Sequence, residues 1–451
     1  MSASSVRYDS DKVDPTPLGK PLRFEFANRD APNRFLKGAM TERISSWDPN
    51  NLEARGVPSK NLHNVYKRWG EGGIGNILTG NIMFEYDHLE AMGNPIIPVD
   101  APFEGERFES FKEMATQGKA NGSLMIGQVS HPGRQVEERI QKNPISASDV
   151  HLDKEVMGLK FAKPRAATDA DIARFIEGWA HAAEYLEKAG YHGIQLHGAH
   201  GYLLAQFLSE TTNRRTDKYG GSLENRARLI VEIAQEVRRR TSPNFVLGIK
   251  MNSVEFQEKG FQPDEAKRLA AILEQNSFDF IELSGGTYER LAFGSEHMRE
   301  SSKKREAFFL DFADTIVPAL SKTKVYVTGG FKTVGAMVHA LNTVDGVGLA
   351  RPVCQEPRLC ADILAGRVTG AIKMQMDDND FGITNVAAGT QIRQMGKDQE
   401  PIDLSKADNF EAFKKDMGTW FQGLSQDTKL EKYGYIDLET AQSAPYGVVE
   451  A

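Results

Sequence analysis

The sequence predicts an α/β fold, namely a (β/α)8 TIM barrel with a lid insertion after its third strand and a helical C-terminal extension. Eight short runs of β-branched and apolar residues are mostly separated by segments whose apolar residues recur at three- and four-residue spacing. Eight alternations of strand and helix are typical of this barrel. Polar side chains gather where the runs end, and the carboxyl ends of the strands carry the active site in this fold.

The predicted elements follow one another with room for a helix between most strands. The strands are RFLKGAM (34–40), GNILTGNIM (75–83), SLMIGQVS (123–130), GIQLHGA (193–199), FVLGIKMN (245–252), FDFIELSGG (278–286), KVYVTGG (324–330) and DGVGLAR (345–351). The helical segments include KNLHNVYKRW, ERFESFKEMATQGKA, TDADIARFIEGWAHAAEYLEKAG, SLENRARLIVEIAQEVRRR and QPDEAKRLAAILEQN. Each has an apolar stripe that would pack against the barrel.

One motif favours a rival fold, the doubly wound sheet that binds dinucleotides. GEGGIG places Gly70, Gly72 and Gly75 in the G-x-G-x-x-G spacing. That fingerprint follows a strand and opens a helix, so that the helix N-terminus meets the pyrophosphate. Here a predicted helix precedes the motif and a predicted strand follows it. We therefore interpret it as a helix C-cap and a turn.

Composition along the chain divides it into three parts. Residues 1–19 are expected to be disordered, residues 20–370 to form the barrel, and residues 371–451 to form an extension. PLRFEFANRDAPN resembles a short β segment that closes the barrel floor. The polar stretch from His131 to about residue 167 is expected to cover the mouth as a lid or hairpin. In the extension, DNFEAFKKDMGTWFQGLS is predicted to be an amphipathic helix, packed on its own barrel or on a partner in a homodimer.

Charge and cysteine content exclude several classes of protein. The 55 basic and 62 acidic residues give a net charge of −7, and no basic stripe is present. Nucleic acid and anionic membranes are therefore not expected partners. Cys354 and Cys360 are too few for a disulfide framework or a four-cysteine cluster. Because the sequence has no N-terminal apolar segment and no run of 18 apolar residues, we expect a cytoplasmic protein without a membrane span.

The segment GIQLHGAHGYLLAQFLSETTNRRTDKYGGSLENR (193–226) carries the candidate catalytic residues. His197, His200 and Tyr202 directly follow a predicted strand. His-x-x-His spacing also suits a metal, but no Cys, Asp or Glu stands beside the pair to complete a ligand set, so no metal is expected. The imidazoles are expected to donate hydrogen bonds to a substrate oxygen, with the phenol as proton donor.

The last two predicted strands end in TGGF and LARP, a pattern that suits a phosphate. The loops at these positions commonly bind phosphate in such barrels, with glycine amides at the oxygens and a cation beside them. Gly329, Gly330 and Arg351 meet this description, although Gly-Gly after a strand is also an ordinary turn. Phe331, in the same loop, is either a wall of the substrate pocket or core packing.

These segments resemble one family. The resemblance is carried by APNRFLKGAMTERIS, GNILTGNIM, GQVSHPGRQ, residues 193–226, VTGGF and VGLARP, and it covers about residues 20–370. They resemble the old yellow enzymes, which are FMN-dependent NAD(P)H oxidoreductases, and GQVSHPGRQ and the extended C-terminal part are similar to fungal members. The resemblance implies bound FMN, NADPH or NADH as reductant, and a small activated alkene or quinone as the oxidising substrate.

The resemblance also implies roles for individual residues. His197 and His200 would bind the carbonyl or nitro oxygen of the substrate, and Tyr202 would donate the proton. The residues that would contact FMN are Gly38, Ala39, Met40 and Thr41 along the ring, Gly80 and Gln128 at its pyrimidine edge, Lys250 beside N1 and O2, and Gly329, Gly330, Ala350 and Arg351 at the phosphate. NAD(P)H would reduce the flavin, and the alkene would then receive hydride at its β-carbon in a ping-pong cycle.

Three positions depart from the family pattern. Lys250 replaces the usual arginine, and a compact ammonium cannot make the forked contact of a guanidinium. Gly38-Ala39 stands where a small residue and proline are usual, and Ala350 replaces a common glycine, which requires the backbone there to avoid positive φ. Two other functions stay open: a flavin-free barrel lyase or isomerase that uses Lys250, and a protein that binds FMN without turnover.

Overall fold

The computed structural model describes residues 5–156, 158–252, 263–284, 310, 312–441 and 443–447. The strands in these ranges are β1 Leu22–Phe24, β2 Arg29–Ala31, β3 Phe35–Lys37, β4 Asn76–Ile82, β5 Leu124–Val129, β6 Ile145–Ser146, β7 Arg165–Ala166, β8 Gly193–Gly198, β9 Val246–Asn252, β10 Phe280–Ser284, β11 Lys324–Thr328 and β12 Gly346–Leu349. Eight of them close into a parallel barrel in the order β3, β4, β5, β8, β9, β10, β11, β12. The predicted TIM barrel is confirmed, and each predicted strand contains one barrel strand.

Helices connect most of the barrel strands and continue into the extension. They are α1 Lys60–Gly70, α2 Gly105–Lys119, α3 Asp169–Lys188, α4 Leu203–Leu208, α5 Leu223–Arg240, α6 Pro263–Gln275, α7 Val334–Ala340, α8 Arg351–Gln355, α9 Leu359–Leu364, α10 Phe381–Gly396 and α11 Ala407–Gln426. Short 3-10 helices span Thr16–Gly19, Leu52–Ala54 and Val317–Ala319.

Alternate residues of each barrel strand face the surrounding helices and the barrel interior. In β10, Ile281 and Leu283 belong to the large apolar cluster between the barrel and its helices, whereas Phe280 belongs to a second cluster inside the barrel. By this alternation Glu282 and Ser284 share the inward direction of Phe280. The lower interior is therefore apolar, and the upper interior, toward the carboxyl ends of the strands, is polar.

The floor of the barrel is closed by β1 and β2, which form an antiparallel pair. Phe24 packs against the inward-facing Phe280, with the ring centroids 5.7 Å apart. The backbone N–H of Ala27 donates to Asp279 Oδ1 at 2.7 Å and ties the connecting turn to the start of β10. The short β segment predicted in PLRFEFANRDAPN is present.

The N-terminal segment differs from the expectation of disorder. Within residues 5–19, Leu18 is fully buried. Arg7 forms an antiparallel bridge with Ile372 and an ion pair with Glu356 at 2.6 Å. These contacts are made with residues far along the chain, so the polar composition of the segment alone gave no sign of them. These contacts weigh against the predicted disorder for residues 5–19.

The GEGGIG motif is a helix end and a turn, as predicted. Helix α1 ends at Gly70 and β4 begins at Asn76. Between them Gly73 has φ of +72°, a left-handed conformation that favours glycine. The order of elements is helix and then strand, the reverse of a dinucleotide fingerprint.

The insertion after β5 lies against the loop that follows β8. Its two short strands, β6 and β7, pair in parallel, so the insertion is not a simple hairpin. Gln135 Nε2 donates to the carbonyl of His200 at 3.1 Å, and the backbone N–H of Arg214 donates to Ser148 Oγ at 2.9 Å. The insertion is therefore held beside the carboxyl ends of the strands, where a lid must lie. A gating role stays a prediction.

The C-terminal extension packs on its own barrel. Asn64 Nδ2 on α1 donates to the carbonyl of Gly396 at the end of α10 at 2.9 Å. Phe413, from the predicted amphipathic helix α11, is fully buried in a separate apolar cluster of the extension. Trp47 Nε1 in the loop after β3 donates to the carbonyl of Leu430 at 2.7 Å. No helix in the described parts of the chain is both long and apolar enough to cross a bilayer.

Candidate active site

A row of polar side chains crosses the upper interior of the barrel. Gln128 Nε2 donates to Gln195 Oε1 at 2.7 Å, and Gln195 Nε2 donates to Glu282 Oε2 at 2.8 Å. Glu282 Oε1 lies 3.1 Å from Lys250 Nζ. All four side chains are buried, and Glu282 is fully so. The row joins β5, β8, β10 and β9 just below the mouth, and it contains Gln128 and Lys250, both predicted cofactor residues.

His197, His200 and Tyr202 come together at the end of β8. The two imidazole centroids are 5.2 Å apart, and the Tyr202 ring stands perpendicular to His197 at 4.7 Å. His200 has φ of +58°, which is uncommon for a residue other than glycine. Its backbone N–H donates to Asn252 Oδ1 at 3.1 Å, and its Nε2 lies 2.8 Å from Ser284 Oγ. Side chains from β9 and β10 thus hold the turn that places the predicted catalytic group.

Burial keeps both imidazoles neutral. Desolvation, with His200 and Lys250 nearby, lowers the pKa of His197 well below its usual value. Desolvation, with Lys250 again adding, lowers the pKa of His200 to about 3. The backbone N–H of Ala199 points to His197 Nδ1 at 3.4 Å, so the ring proton of the neutral imidazole is on Nε2. His197 is therefore an uncharged hydrogen-bond donor.

Gly38 and Gly80 shape the space beside the polar row. A methyl group at Gly38 would lie 3.1 Å from Thr328 Cγ2 and 3.7 Å from Glu282 Oε1, so the glycine leaves the space in front of this carboxylate open. The backbone N–H of Gly80 donates to Glu42 Oε1 at 2.9 Å, and a methyl group there would collide with the same carboxylate. Both predicted ring-contact glycines therefore lie where a side chain would fill the site or disturb it.

Four buried polar atoms near the mouth have no hydrogen-bond partner among the described residues. They are Asn81 Oδ1, Asn252 Nδ2, Glu282 Oε1 and Thr328 Oγ1, from β4, β9, β10 and β11; Glu282 Oε1 is in ionic contact with Lys250 without an aligned hydrogen bond. An unsatisfied buried polar atom costs about 1–3 kcal/mol. Donors and acceptors around an opening suit a planar ligand edged with carbonyl and nitrogen atoms. The residues present therefore fit the ring of FMN.

The predicted phosphate residues lie at the ends of β11 and β12. Gly329 has φ of +141° and Gly330 has φ of +85°, conformations that favour glycine. Ala350 has φ of −114°, so its backbone avoids positive φ as expected. Arg351 begins α8, and its guanidinium donates to Thr384 Oγ1 in the extension. The extension thus orients the cation that was predicted to hold the phosphate.

The remaining predicted ring contacts follow β3. The Thr41 hydroxyl donates to Glu90 Oε2 at 2.7 Å and accepts from Asn81 Nδ2 at 3.2 Å. Ala39 packs on the interior cluster and Met40 on the outer one. The segment therefore passes from the interior to the rim beside the site. Because the Thr41 proton is already donated to Glu90, contact of Thr41 with a ligand carbonyl would require the hydroxyl to rotate.

The structure weighs against one predicted site residue, and three residues of the site were not predicted. Phe331 is 2% exposed in the outer apolar cluster, which accounts for this side chain as core packing and weighs against the predicted pocket wall. Glu282, Gln195 and Asn252 were not predicted. The available signal was their position, since each is a polar residue at an inward-facing position of a predicted barrel strand.

A histidine and carboxylate cluster lies at the base of the insertion. Among the described residues, Glu85, His88 and His131 place ligand-type atoms within 4.8 Å of one another. The backbone N–H of Gly133 donates to His131 Nδ1 at 3.0 Å, so His131 carries its proton on Nε2, 3.2 Å from Glu85 Oε2. Arg174 Nε contacts the same carboxylate at 2.8 Å. Glu85 is thus an anion surrounded by donors, and the cluster is an ionic support for the insertion rather than a set of free metal ligands.

Comparisons with known proteins indicate the family and the fold of this chain. The model of the NADH:flavin oxidoreductase / NADH oxidase family matches residues 18–369. The chain is 53% identical to the NADH-dependent flavin oxidoreductase nadA of Aspergillus parasiticus, over 97% of this chain and 98% of the relative. It is 36% identical to the NADH-dependent flavin oxidoreductase iccE of Talaromyces variabilis, over 73% of this chain and 82% of the relative. Among solved structures, morphinone reductase superposes with a TM-score of 0.64 at 21% identity, over 81% of this chain and 95% of that one, which supports the fold.

Proposed function

Because this chain belongs to the NADH:flavin oxidoreductase / NADH oxidase family, we propose that it uses NAD(P)H and FMN to reduce the carbon–carbon double bond of a small activated alkene, such as an enone, enal, quinone or nitroalkene. The predicted family, the enzyme class and the flavin cofactor are confirmed by this membership. The alkene chemistry and the residue roles are our proposal.

The observation that supports the proposal is a pair of neutral imidazoles beside a phenol at the barrel mouth. His197 is an uncharged donor through Nε2, and His200 is fixed by Asn252 and Ser284. Donors held in place before reaction stabilise negative charge that develops on a carbonyl or nitro oxygen, in the manner of an oxyanion hole. The ring of Tyr202 contacts His197, and in this proposal its hydroxyl donates the proton to the adjacent carbon.

FMN would be held by Gly38, Gly80, Gln128 and Lys250 at its ring and by the loop of Gly329 at its phosphate. When bound, it supplies hydride transfer from the nicotinamide to the substrate. The protein supplies the rest. The insertion and the barrel walls exclude water, the histidines bind the substrate oxygen, and Tyr202 holds the proton.

The structure weighs against a lyase or isomerase that uses Lys250 as a base or Schiff-base former. Such chemistry needs an amine that can lose its proton, usually through burial without a partner. Lys250 Nζ instead lies 3.1 Å from the buried carboxylate of Glu282, so the amine has an ion-pair partner. The other alternative, a protein that binds FMN without turnover, is distinguished from an enzyme by the spectroscopic test that follows.

The first test is anaerobic absorbance spectroscopy of the purified protein. We expect a flavin spectrum that bleaches on addition of NADH or NADPH and returns on addition of 2-cyclohexenone. A colourless protein that takes up no added FMN would refute the proposal. A flavin spectrum that neither nicotinamide bleaches would instead indicate a binding protein.

Tyr202→Phe tests the assignment of the proton donor. Because only alkene protonation needs the hydroxyl, reoxidation by the enone should slow by about 10²-fold or more, while flavin reduction by NAD(P)H stays within a few-fold of wild type. Stopped-flow absorbance measures the two half-reactions separately. His197→Ala is the companion variant, and it should weaken binding of a phenol as well as slow reoxidation. A Tyr202→Phe protein slowed only in its reduction by NAD(P)H would contradict the assignment.

A further inference from the structure

The fully buried carboxylate of Glu282 lies at the centre of the site and has no assigned role. It faces the space left open by Gly38, and a methyl group at that glycine would lie 3.7 Å from its Oε1. Its Oε2 accepts a hydrogen bond from Gln195 Nε2 at 2.8 Å. A buried charge is costly in free energy unless a group of opposite charge is paired with it. The partner of the Glu282 carboxylate therefore indicates the role of this side chain.

That partner is Lys250, the cation predicted to lie beside the flavin ring. Nζ and Oε1 are 3.1 Å apart, and the two residues are register partners on β9 and β10. The lysine therefore does not present an isolated positive charge to the site. Gln195 keeps the carboxylate oriented toward the lysine, and Gln128 in turn donates to Gln195 at 2.7 Å.

The pairing of Glu282 with Lys250 matters because the reaction changes the charge of the cofactor beside the lysine. A hydride from NAD(P)H carries two electrons and one proton; its transfer breaks the nicotinamide C–H bond, leaves NAD(P)⁺ and adds one negative charge to the ring that accepts it. An uncompensated Lys250 would stabilise that charge and raise the reduction potential. A carboxylate at contact distance from the lysine opposes this effect, and in a water-poor interior both interactions are stronger than in bulk solvent.

We propose that Glu282, by compensating the charge of Lys250, sets the reduction potential of the bound flavin and favours hydride transfer to the alkene over hydride uptake from NAD(P)H. Glu282 acts through Lys250 and is therefore a positioning residue rather than a catalytic one. The inference rests on the proposed function, because it assumes that FMN occupies this site.

The test is the two-electron reduction potential of FMN-loaded wild type and of Glu282→Gln, measured by anaerobic titration against a reference dye. The glutamine keeps an acceptor for Gln195 and removes the charge. We expect the reduction equilibrium to shift at least tenfold toward the reduced form, about 30 mV for a two-electron couple. Flavin reduction by NAD(P)H should become faster and reoxidation by 2-cyclohexenone slower. An unchanged or lower potential would overturn the proposal.

A double variant decides the question if Glu282→Gln fails to fold because its lysine is left unpaired. Lys250→Met combined with Glu282→Gln removes both charges, and replacing a buried ion pair by groups of similar volume is often neutral for stability. If the carboxylate compensates the lysine in wild type, the double variant should have a reduction equilibrium within about threefold of wild type. A shift of tenfold or more toward the oxidised form would show that Lys250 acts uncompensated, and would overturn the proposal.

Asp279→Asn is the matched control. Asp279 is a second fully buried carboxylate on the same stretch of chain, paired with Arg238 at 2.8 Å at the barrel floor. Its loss should leave the potential unchanged, whereas a shift equal to that of Glu282→Gln would contradict a local effect. If the wild-type protein binds no FMN, the proposed function and this inference are both refuted. If wild type and Glu282→Gln both bind FMN and have equal reduction potentials, only the inference is refuted.

Discussion

Lys37 is expected to destabilise the folded protein at neutral pH. The side chain is fully buried and directly precedes residues 38–41, the predicted flavin-ring contacts. Its Nζ donates to the carbonyl of Leu78 at 2.9 Å and lies 4.0 Å from the centroid of the Trp69 ring. Burial is the main cause that lowers its pKa from 10.5 to about 8, and the nearby Glu42 only partly opposes this. One hydrogen bond and the faces of two aromatic rings, Trp69 and the more distant Tyr66 at 5.6 Å, do not replace the water that the ammonium loses.

The lowered pKa of Lys37 makes stability depend on pH in a defined direction. Between about pH 8 and 10.5 the unfolded chain binds a proton at this lysine and the folded chain does not, so the free energy of unfolding rises with pH in that window. At 1.36 kcal/mol per pH unit, the gap corresponds to about 3 kcal/mol. Below pH 8 the full penalty applies and no longer changes with pH.

Lys37→Met removes this penalty and keeps most of the packing volume. It also loses the hydrogen bond to the Leu78 carbonyl, a net contribution of about 1 kcal/mol. We therefore expect the variant to be about 2 kcal/mol more stable than wild type at pH 7, and the advantage to vanish by about pH 10.5. Urea unfolding of both proteins at equal FMN loading, followed by fluorescence from pH 7 to 10.5, measures the difference.

Lys163→Met is the control for Lys37, because that side chain is 66% exposed and its ion pair with Asp149, at 3.7 Å, is screened by solvent and contributes little. The control should follow wild type at every pH. Titrating groups that do not interact with Lys37 affect wild type and variant equally and cancel in the comparison. If the unfolding free energies of wild type and Lys37→Met ran parallel from pH 7 to 10.5, the argument from burial would be refuted.

Two further predictions concern the rim of the site. Gly80→Ala should weaken FMN binding at least tenfold in a fluorescence titration, because a methyl group would collide with the Glu42 carboxylate that accepts the Gly80 N–H. Gly418→Ala, which meets open space on α11, should bind FMN like wild type. For His88, burial alone would lower the pKa, but hydrogen bonds to Asp87 and Glu85 outweigh it and raise the pKa from 6.5 to about 9. Its stabilisation is therefore complete below about pH 6.5 and is lost as the pH rises through 9. His88→Gln should lower the free energy of unfolding by up to about 3 kcal/mol at pH 6 and by much less at pH 10, and an equal loss at both would contradict the ionic role.

The fold was predictable because its signals are local. Each strand is a short apolar run, each helix has an apolar stripe, and the order of α1, the glycine turn and β4 excluded the dinucleotide fold. The candidate site residues at the mouth were located by one general rule, that the active site of such a barrel lies at the carboxyl ends of its strands. That rule correctly brought together His197, His200 and Tyr202.

Interactions between distant segments were not predictable in the same way. The pairing of Glu282 with Lys250 depends on the register of β9 against β10, which the apolar pattern of either strand does not specify. The placement of residues 5–19 depends on contacts with Glu356 and Ile372, more than 300 positions along the chain. In both cases the residue types were visible, but their partners were set by closure of the barrel and by the path of the extension.

The electrostatic requirements of the site also explain why Lys250 is paired with Glu282 inside the barrel. Neutral imidazoles are needed as donors, and both burial and the nearby Lys250 lower their pKa. The same burial would make an unpaired lysine expensive, because desolvation penalises any charge that lacks a partner. Glu282 resolves this conflict, since it stabilises the ammonium from inside the barrel while the imidazoles lie at the mouth. Burial is the main cause that keeps the histidines uncharged, and Lys250 adds to it. Because compensation of the same lysine charge should set the flavin potential, we expect this ion pair to affect both substrate binding and cofactor reduction.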